Sequence, residues 1–166
     1  MSFFLIQKNE SGIMMNSIYC ICGILCGIVG MEICSYGIHR YIMHGWLWFI
    51  HKTHHRRGKH RLELNDVFSL LFAGISIVFL IIGILSVQYF LLGIGAGIIL
   101  YGILYFIIHD IIIHRRIKTT FPIRHPYLRQ IIHAHALHHS TTEKYPSQSF
   151  GLLWVPKKYR KIKDNN

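Results

Sequence analysis

Residues 67–110, VFSLLFAGISIVFLIIGILSVQYFLLGIGAGIILYGILYFIIHD, form two apolar stretches with only Gln88 as a polar break, and they end on a histidine and an aspartate. A helix rises about 1.5 Å per residue, so roughly 20 apolar residues cross the hydrocarbon of a bilayer. The segment therefore reads as a helical hairpin with spans at about 67–87 and 89–108, the first capped by Asn65 or Asp66. Upstream, the run from Ile13 to about Ile38 supplies another span of similar reach. Gly23 with Gly27 and Gly93 with Gly97 are small-xxx-small pairs, which let helix backbones approach closely.

Composition agrees with a membrane domain. The chain has 166 residues, is 52% hydrophobic and has a mean hydropathy of +0.36, which is short for several domains and apolar for a soluble one. Its net charge of +11 would suit nucleic acid, but the basic residues fall between and after the apolar runs, with no aromatic-interleaved stripe. No nucleic-acid partner is expected. Of the 18 Lys and Arg, only Lys8 precedes the first run; six lie between Arg40 and Arg61 and eleven between Arg115 and Lys163. By the positive-inside rule, 39–66 and 109–166 face the cytoplasm.

Residues 1–12 lack a basic n-region, and the long run after them has no small-residue cleavage pattern, so neither a cleavable signal nor a transit peptide is expected. The expected setting is a bacterial inner membrane. Cys20, Cys22, Cys26 and Cys34 all fall in the first run and read as lipid-facing or packing residues. The expected fold is an all-α integral membrane protein with three transmembrane helices, room for a fourth re-entrant or interfacial segment, and a cytoplasmic helical cap rich in histidine.

Histidine carries the chemistry. Every one of the 13 histidines lies at or beyond the basic face, and ten fall into four compact boxes. These are His39 and His44 in HRYIMH; His51, His54 and His55 in HKTHH; His109 and His114 in HDIIIH; and His135, His138 and His139 in HALHH. The order HxxxxH, HxxHH occurs once in each half. Positions i, i+3 and i+4 share a helical face, so each HxxHH triplet is expected to converge. The i, i+5 pairs diverge by about 140° on an α-helix and are expected to serve two metals, or two sides of one cluster. Neutral imidazole suits iron, zinc, copper and nickel, and ten donors exceed the needs of one ion, so two ions are expected. His60, His125 and His133 lie outside the pattern and read as ordinary surface or core residues.

Two carboxylates accompany the boxes. Glu32 sits in the first span, where an ionisable side chain is costly. Seven residues before His39, it shares that face and reads as a partner that orients an imidazole. Asp110, one turn before His114, reads the same way, or as a charge at the membrane boundary.

With their flanking residues, the boxes resemble those of the bacterial β-carotene 3-hydroxylases of the fatty acid hydroxylase superfamily. The resemblance runs through Met31 and Glu32, HRYIMHGW, HKTHH, the ELND of Glu63–Asp66, the LYFIIHD of Leu104–Asp110, HALHH and the SFG of Ser149–Gly151, roughly residues 30 to 155. Departures are a more basic loop at Arg56–Arg61 and the alternation of His133 with His135. The resemblance implies a single membrane hydroxylase domain over 1–166 with the ten histidines as ligands of two nonheme iron ions. It implies O2 as co-substrate and hydroxylation at C3 of the β-ionone rings, from β-carotene through β-cryptoxanthin to zeaxanthin. Phe49, Tyr105 and Phe106, with Trp46 and Trp48, are then candidates for the substrate slot; an interfacial aromatic belt is the alternative, and the preferred one for Trp46 and Trp48.

No nucleotide or haem motif accompanies the boxes, so a separate electron donor is expected, a ferredoxin type with its reductase. The basic face suits an acidic partner and anionic membrane lipid alike. Rival readings are a fatty-acyl or sterol hydroxylase or desaturase with the same boxes, and a histidine-rich metal transporter. A transporter would spread ionisable residues through several spans, and only Glu32 is so placed.

Overall fold

The structure is a computed structural model that describes residues 2–56, 62–145 and 147–160, with side chains described from residue 10 onward except that of residue 11. His60 and most of the basic 56–61 loop lie outside the described residues. Among the described residues all regular structure is helical. The α-helices are α1 (Ser2–Gly37), α2 (Trp48–His55), α3 (Val67–Leu85), α4 (Tyr89–Tyr105) and α5 (Pro126–His138).

Three helical stretches are long and apolar enough to cross a membrane: Gly12–Met43, Leu64–Leu85 and Tyr89–Ile113. They match the expected spans, and two of them run further than expected because α1 and α4 continue as π-helix, over Ile38–Met43 and Phe106–Ile113. At 8 and 13 residues, α2 and α5 are too short for a crossing.

The chain divides into two compact units, one comprising the described residues up to Met31 with Ser69–Ile103, the other those of Glu32–Phe68 and Leu104–Asn166. In the first unit the glycine pairs of α1 and α4 meet each other. A Cβ on Gly27 would stand 2.6 Å from the Ile94 carbonyl oxygen and 3.0 Å from Gly97 Cα, and Gly23 meets Gly93 in the same way. On the other side of α4, Gly95 faces Leu80 of α3, and Gly83 of α3 faces Leu92. Such spacing brings backbones into van der Waals contact, which drives helix association where lipid removes the hydrophobic effect.

The α3–α4 turn is closed by Gln88 N–H to Gly83 C=O (2.9 Å) and Val87 N–H to Ile84 C=O (3.2 Å). This is a Schellman ending, with Val87 at φ 53° where glycine is usual. Cys22, Cys26 and Cys34 are exposed and all four cysteines are free thiols, as expected of lipid-facing or packing residues.

The second unit begins α3 with a 3₁₀ turn, Leu64–Asp66, whose Asp66 carboxylate accepts the Glu63 N–H at 3.0 Å. Asp66 thus provides the expected cap at the start of the span. Asn65 turns its amide elsewhere, to a histidine.

The close α1–α4 contact predicts that Gly93→Val destabilises the protein by about 1–3 kcal/mol through overpacking. Gly74→Ala, at a glycine with open space around it, leaves the melting temperature in detergent level or raised. Thermal unfolding of the two variants checks this.

Candidate metal centre

The second unit gathers nine of the ten box histidines into two groups. His39, His44, His51, His55 and His138 place one nitrogen each within 4.8 Å of one another, and His54, His114, His135 and His139 do the same. His109 stands beside the second group, with its ring centroid 4.5 Å from that of His114 and 4.9 Å from that of His135.

This partition differs from the expected one in two ways, each with a physical cause. The HxxxxH pairs do not diverge. Each lies on a π-helical turn, closed by His44 N–H to His39 C=O (3.0 Å) and by His114 N–H to His109 C=O (2.9 Å). The wider turn brings residue i+5 back over residue i, so His39 and His44 enter the same group. The HxxHH triplets, in turn, do not converge on one point. Residues i and i+4 point one way and i+3 the other: His51 and His55 join the first group while His54 joins the second, and His135 and His139 join the second while His138 joins the first. Each short helix lies between the groups and serves both.

The hydrogen bonds decide what the first group can do. His39 donates Nδ1–H to the Phe150 carbonyl (2.9 Å), His44 to Lys144 (3.1 Å), His55 to Thr141 (3.1 Å), His138 to Gln148 (2.8 Å), and His51 to the Asn65 side-chain oxygen (2.7 Å). Each acceptor is an oxygen, so each Nδ1 carries the proton and each Nε2 bears a lone pair. Those lone pairs face one another: His39 and His51 Nε2 are 3.0 Å apart, and His138 Nε2 is 3.1 Å from His55 and 3.3 Å from His44. Opposed lone pairs repel unless a cation lies among them. The group therefore fits a metal ion bound by neutral imidazoles.

Four of these five acceptors come from one irregular segment, 141–150. Within it Ser149 has φ 55°, a left-handed conformation that aims the Gln148 and Phe150 carbonyls at two histidines. The Phe150 ring covers the group from 5.3 Å at His44 and 5.4 Å at His138. Glu32 accepts from Leu153 N–H (3.0 Å) and Trp154 N–H (2.8 Å), and a Cβ on Gly151 would stand 3.0 Å from its carboxylate. These bonds tie Glu32 to the segment that carries the Phe150 carbonyl, the acceptor behind His39.

The second group has a more ionic backing. His54 donates Nδ1–H to Glu63 (2.8 Å), and His109 donates Nδ1–H to Asp110 (2.8 Å). Among the described residues, the Nε2 atoms of His54 and His139 are buried with no hydrogen-bond partner, and those of His114 and His135 lie 2.9 Å apart. Orphaned buried nitrogens converging with two more also fit a cation. The Tyr105 hydroxyl donates to His109 Nε2 at 3.3 Å, and its ring stacks on that imidazole. Phe49 and Phe106 are 57% and 47% exposed.

Burial keeps the imidazoles neutral. It pushes His55 and His114 down to about 4 and His51 and His139 to about 2; neighbouring imidazoles add to the effect, as does the Arg116 guanidinium at His114. His44, His54, His135 and His138 shift the same way, again chiefly by burial. At neutral pH the set is in its metal-binding form.

Two residues have roles that differ from their preferred sequence reading. Asn65 was read as a helix cap and is the acceptor behind His51. Trp48, a slot candidate read by preference as interfacial, packs its ring 5.0 Å from His44 and 5.2 Å from His55. The i+4 spacing of Trp48 from His44 could have signalled this.

The chain matches the fatty acid hydroxylase family over residues 24–156, a stretch that holds all ten box histidines. It belongs to that family. A beta-carotene hydroxylase of Pantoea ananas is 39% identical over 129 residues, 78% of this chain and 73% of the relative. Beta-carotene hydroxylases of Pseudescherichia vulneris and Paracoccus sp. (strain N81106 / MBIC 01143) are each 38% identical, over 81% and 78% of this chain and 76% and 80% of their own length. No solved structure matches the chain. The fatty acid hydroxylase match extends beyond the boxes to Glu32, Glu63, Asn65, Arg116 and the 141–150 segment, which support the histidines here.

Two outcomes follow from this geometry. Ser149→Pro, which forces φ to about −65°, turns both carbonyls away and reduces metal retention about 10- to 100-fold, whereas Ser149→Gly retains it. Elemental analysis after dialysis against a chelator reads the difference. The folded pKa values lie below the unfolded value of 6.5, so the folded metal-free protein binds fewer protons than the unfolded chain, and stability is lost as pH falls from 6.5 towards 4. Melting temperatures across that window, in detergent without metal, should fall steadily.

Proposed function

We propose that this protein is a membrane monooxygenase that hydroxylates C3 of the β-ionone rings of β-carotene, giving β-cryptoxanthin and then zeaxanthin, with two nonheme iron ions held by the ten box histidines. The observation that carries the proposal is the facing of Nε2 lone pairs in two adjacent groups of neutral imidazoles. The carotene substrate is supported by three relatives named beta-carotene hydroxylase at 38–39% identity.

Iron bound in these groups supplies the activation of O2 needed to oxidise an unreactive C–H bond. Each hydroxylation takes one O2, two electrons and two protons and returns one water with the alcohol. The chain's own residues hold the ions, keep the imidazoles neutral and shield the first group with Trp48 and Phe150. Tyr105, Phe106 and Phe49 are assigned to the slot for the ring.

The electrons come from a ferredoxin-type donor with its reductase, attracted by the basic residues of 39–66 and 109–166, which also meet anionic lipid. The charge asymmetry supports a bacterial inner membrane setting with the centre facing the cytoplasm. All of 1–166 is assigned to one hydroxylase domain.

Expression in bacteria that accumulate β-carotene tests the proposal. Zeaxanthin should replace carotene, and His138→Ala should leave carotene unchanged while the protein still reaches the membrane. Unaltered carotene alongside newly hydroxylated acyl lipids or sterols would transfer the activity to the rival substrate class. Anaerobically purified active protein should contain two irons per chain.

A further inference from the structure

We propose that Arg116 is a positioning residue that makes the two metal positions unequal, by holding the carboxylates that stand behind His54 of the second group and His109 beside it. The inference rests on the reading that both groups bind ions.

The first group differs from the His54–His109 side of the second in what accepts the Nδ1 protons. In the first, all five acceptors are neutral: four main-chain carbonyls and the Asn65 amide. At the second, His54 and the adjacent His109 are backed by carboxylates, Glu63 and Asp110. A carboxylate draws on the imidazole N–H more strongly than a carbonyl does, which makes the opposite nitrogen a more basic ligand.

Those carboxylates come from separate parts of the chain, and one guanidinium joins them. Arg116 Nη2 donates to Glu63 Oε2 at 3.0 Å, Nη1 donates to Asp66 Oδ1 at 2.8 Å, and Nε lies 3.6 Å from Asp110 Oδ1. The Glu63 oxygen that meets Arg116 is the one that accepts from His54, and the Asp110 oxygen nearest the guanidinium is the one that accepts from His109. Arg116 therefore acts on both imidazoles through single shared atoms. It sets their orientation and moderates the negative charge behind them.

The chain is shaped to deliver it. Arg115 takes φ 52°, and Arg116 N–H bonds the Asp110 carbonyl at 2.9 Å, which returns the side chain over the π-helical turn. The side chains involved are 12–27% exposed, so solvent screens the ion pairs incompletely. Three carboxylates at such a site need a planar donor with several nitrogens, which lysine lacks.

The test loads the whole protein with ferrous iron anaerobically and follows its release to a chromogenic chelator, with melting temperature recorded for each variant. Wild type should release two ions in two phases. Arg116→Gln should speed one phase about 10- to 100-fold and leave the other unchanged. Arg116→Lys should recover that phase only in part, and it carries the test should Arg116→Gln not fold. Asn65→Leu, behind His51, should speed the other phase, which assigns the phases to the groups. A single phase for both ions in wild type, or equal shifts of both phases or of neither in the Arg116 variants, would overturn the inference while leaving the two-ion reading intact. Fewer than two ions in wild type would overturn that reading and the inference with it.

Discussion

An imidazole can bind a metal only through a nitrogen that has lost its proton, and a protein that gathers many of them must decide where every remaining proton goes. Here an oxygen receives the Nδ1 proton of each of the five histidines in the first group, as well as those of His54 and His109. The Nε2 lone pairs are thereby fixed and turned inward. Burial prevents the alternative of protonating them, since a charged imidazole there would lose its hydration. The surrounding second unit is best understood as the set of oxygen acceptors this requirement demands.

Two local geometries satisfy the requirement with few residues. A π-helical turn places an i, i+5 pair on one side, and a short α-helix with an HxxHH triplet divides its side chains between two groups. Each half of the chain uses both devices. His54 crosses from the first half into the second group, and His138 crosses from the second half into the first. Neither half can complete a group alone, so the repeated sequence pattern builds one interlocked centre.

Much of this was legible in the sequence. The spans follow from the length of the apolar runs, and the ten histidines follow from their repeated spacing. What spacing alone could not tell was the helix type at HRYIMH and HDIIIH. A π turn is set by how the surrounding chain packs, and on an α-helix the same residues diverge. The acceptors were hidden for a different reason. Main-chain carbonyls of Thr141, Lys144, Gln148 and Phe150 leave no mark in residue identity, and only the left-handed conformation at Ser149 shows how two of them are aimed. Asn65 shows a limit of motif reading: an asparagine two residues before α3 suits a cap, yet its amide oxygen accepts from His51. Glu32 was recognisable as a costly group needing a partner, but its main-chain partners lie more than a hundred residues away.

The same bonds tie metal binding to the order of an irregular segment. Residues 141–150 contain no helix or strand among those described, and their carbonyls are satisfied by histidine N–H groups where regular structure would otherwise satisfy them. Those histidines in turn keep their tautomers only while the segment stays in place. The facing lone pairs repel one another; an ion held by these histidines would remove that repulsion and, by withdrawing charge from each ring, would make its Nδ1–H a stronger donor to the segment. Folding of this part of the chain and occupation of the first group would therefore be one linked equilibrium. Glu32, which grips Leu153 and Trp154 from α1, anchors the segment at its far end and lets that equilibrium favour the ordered state.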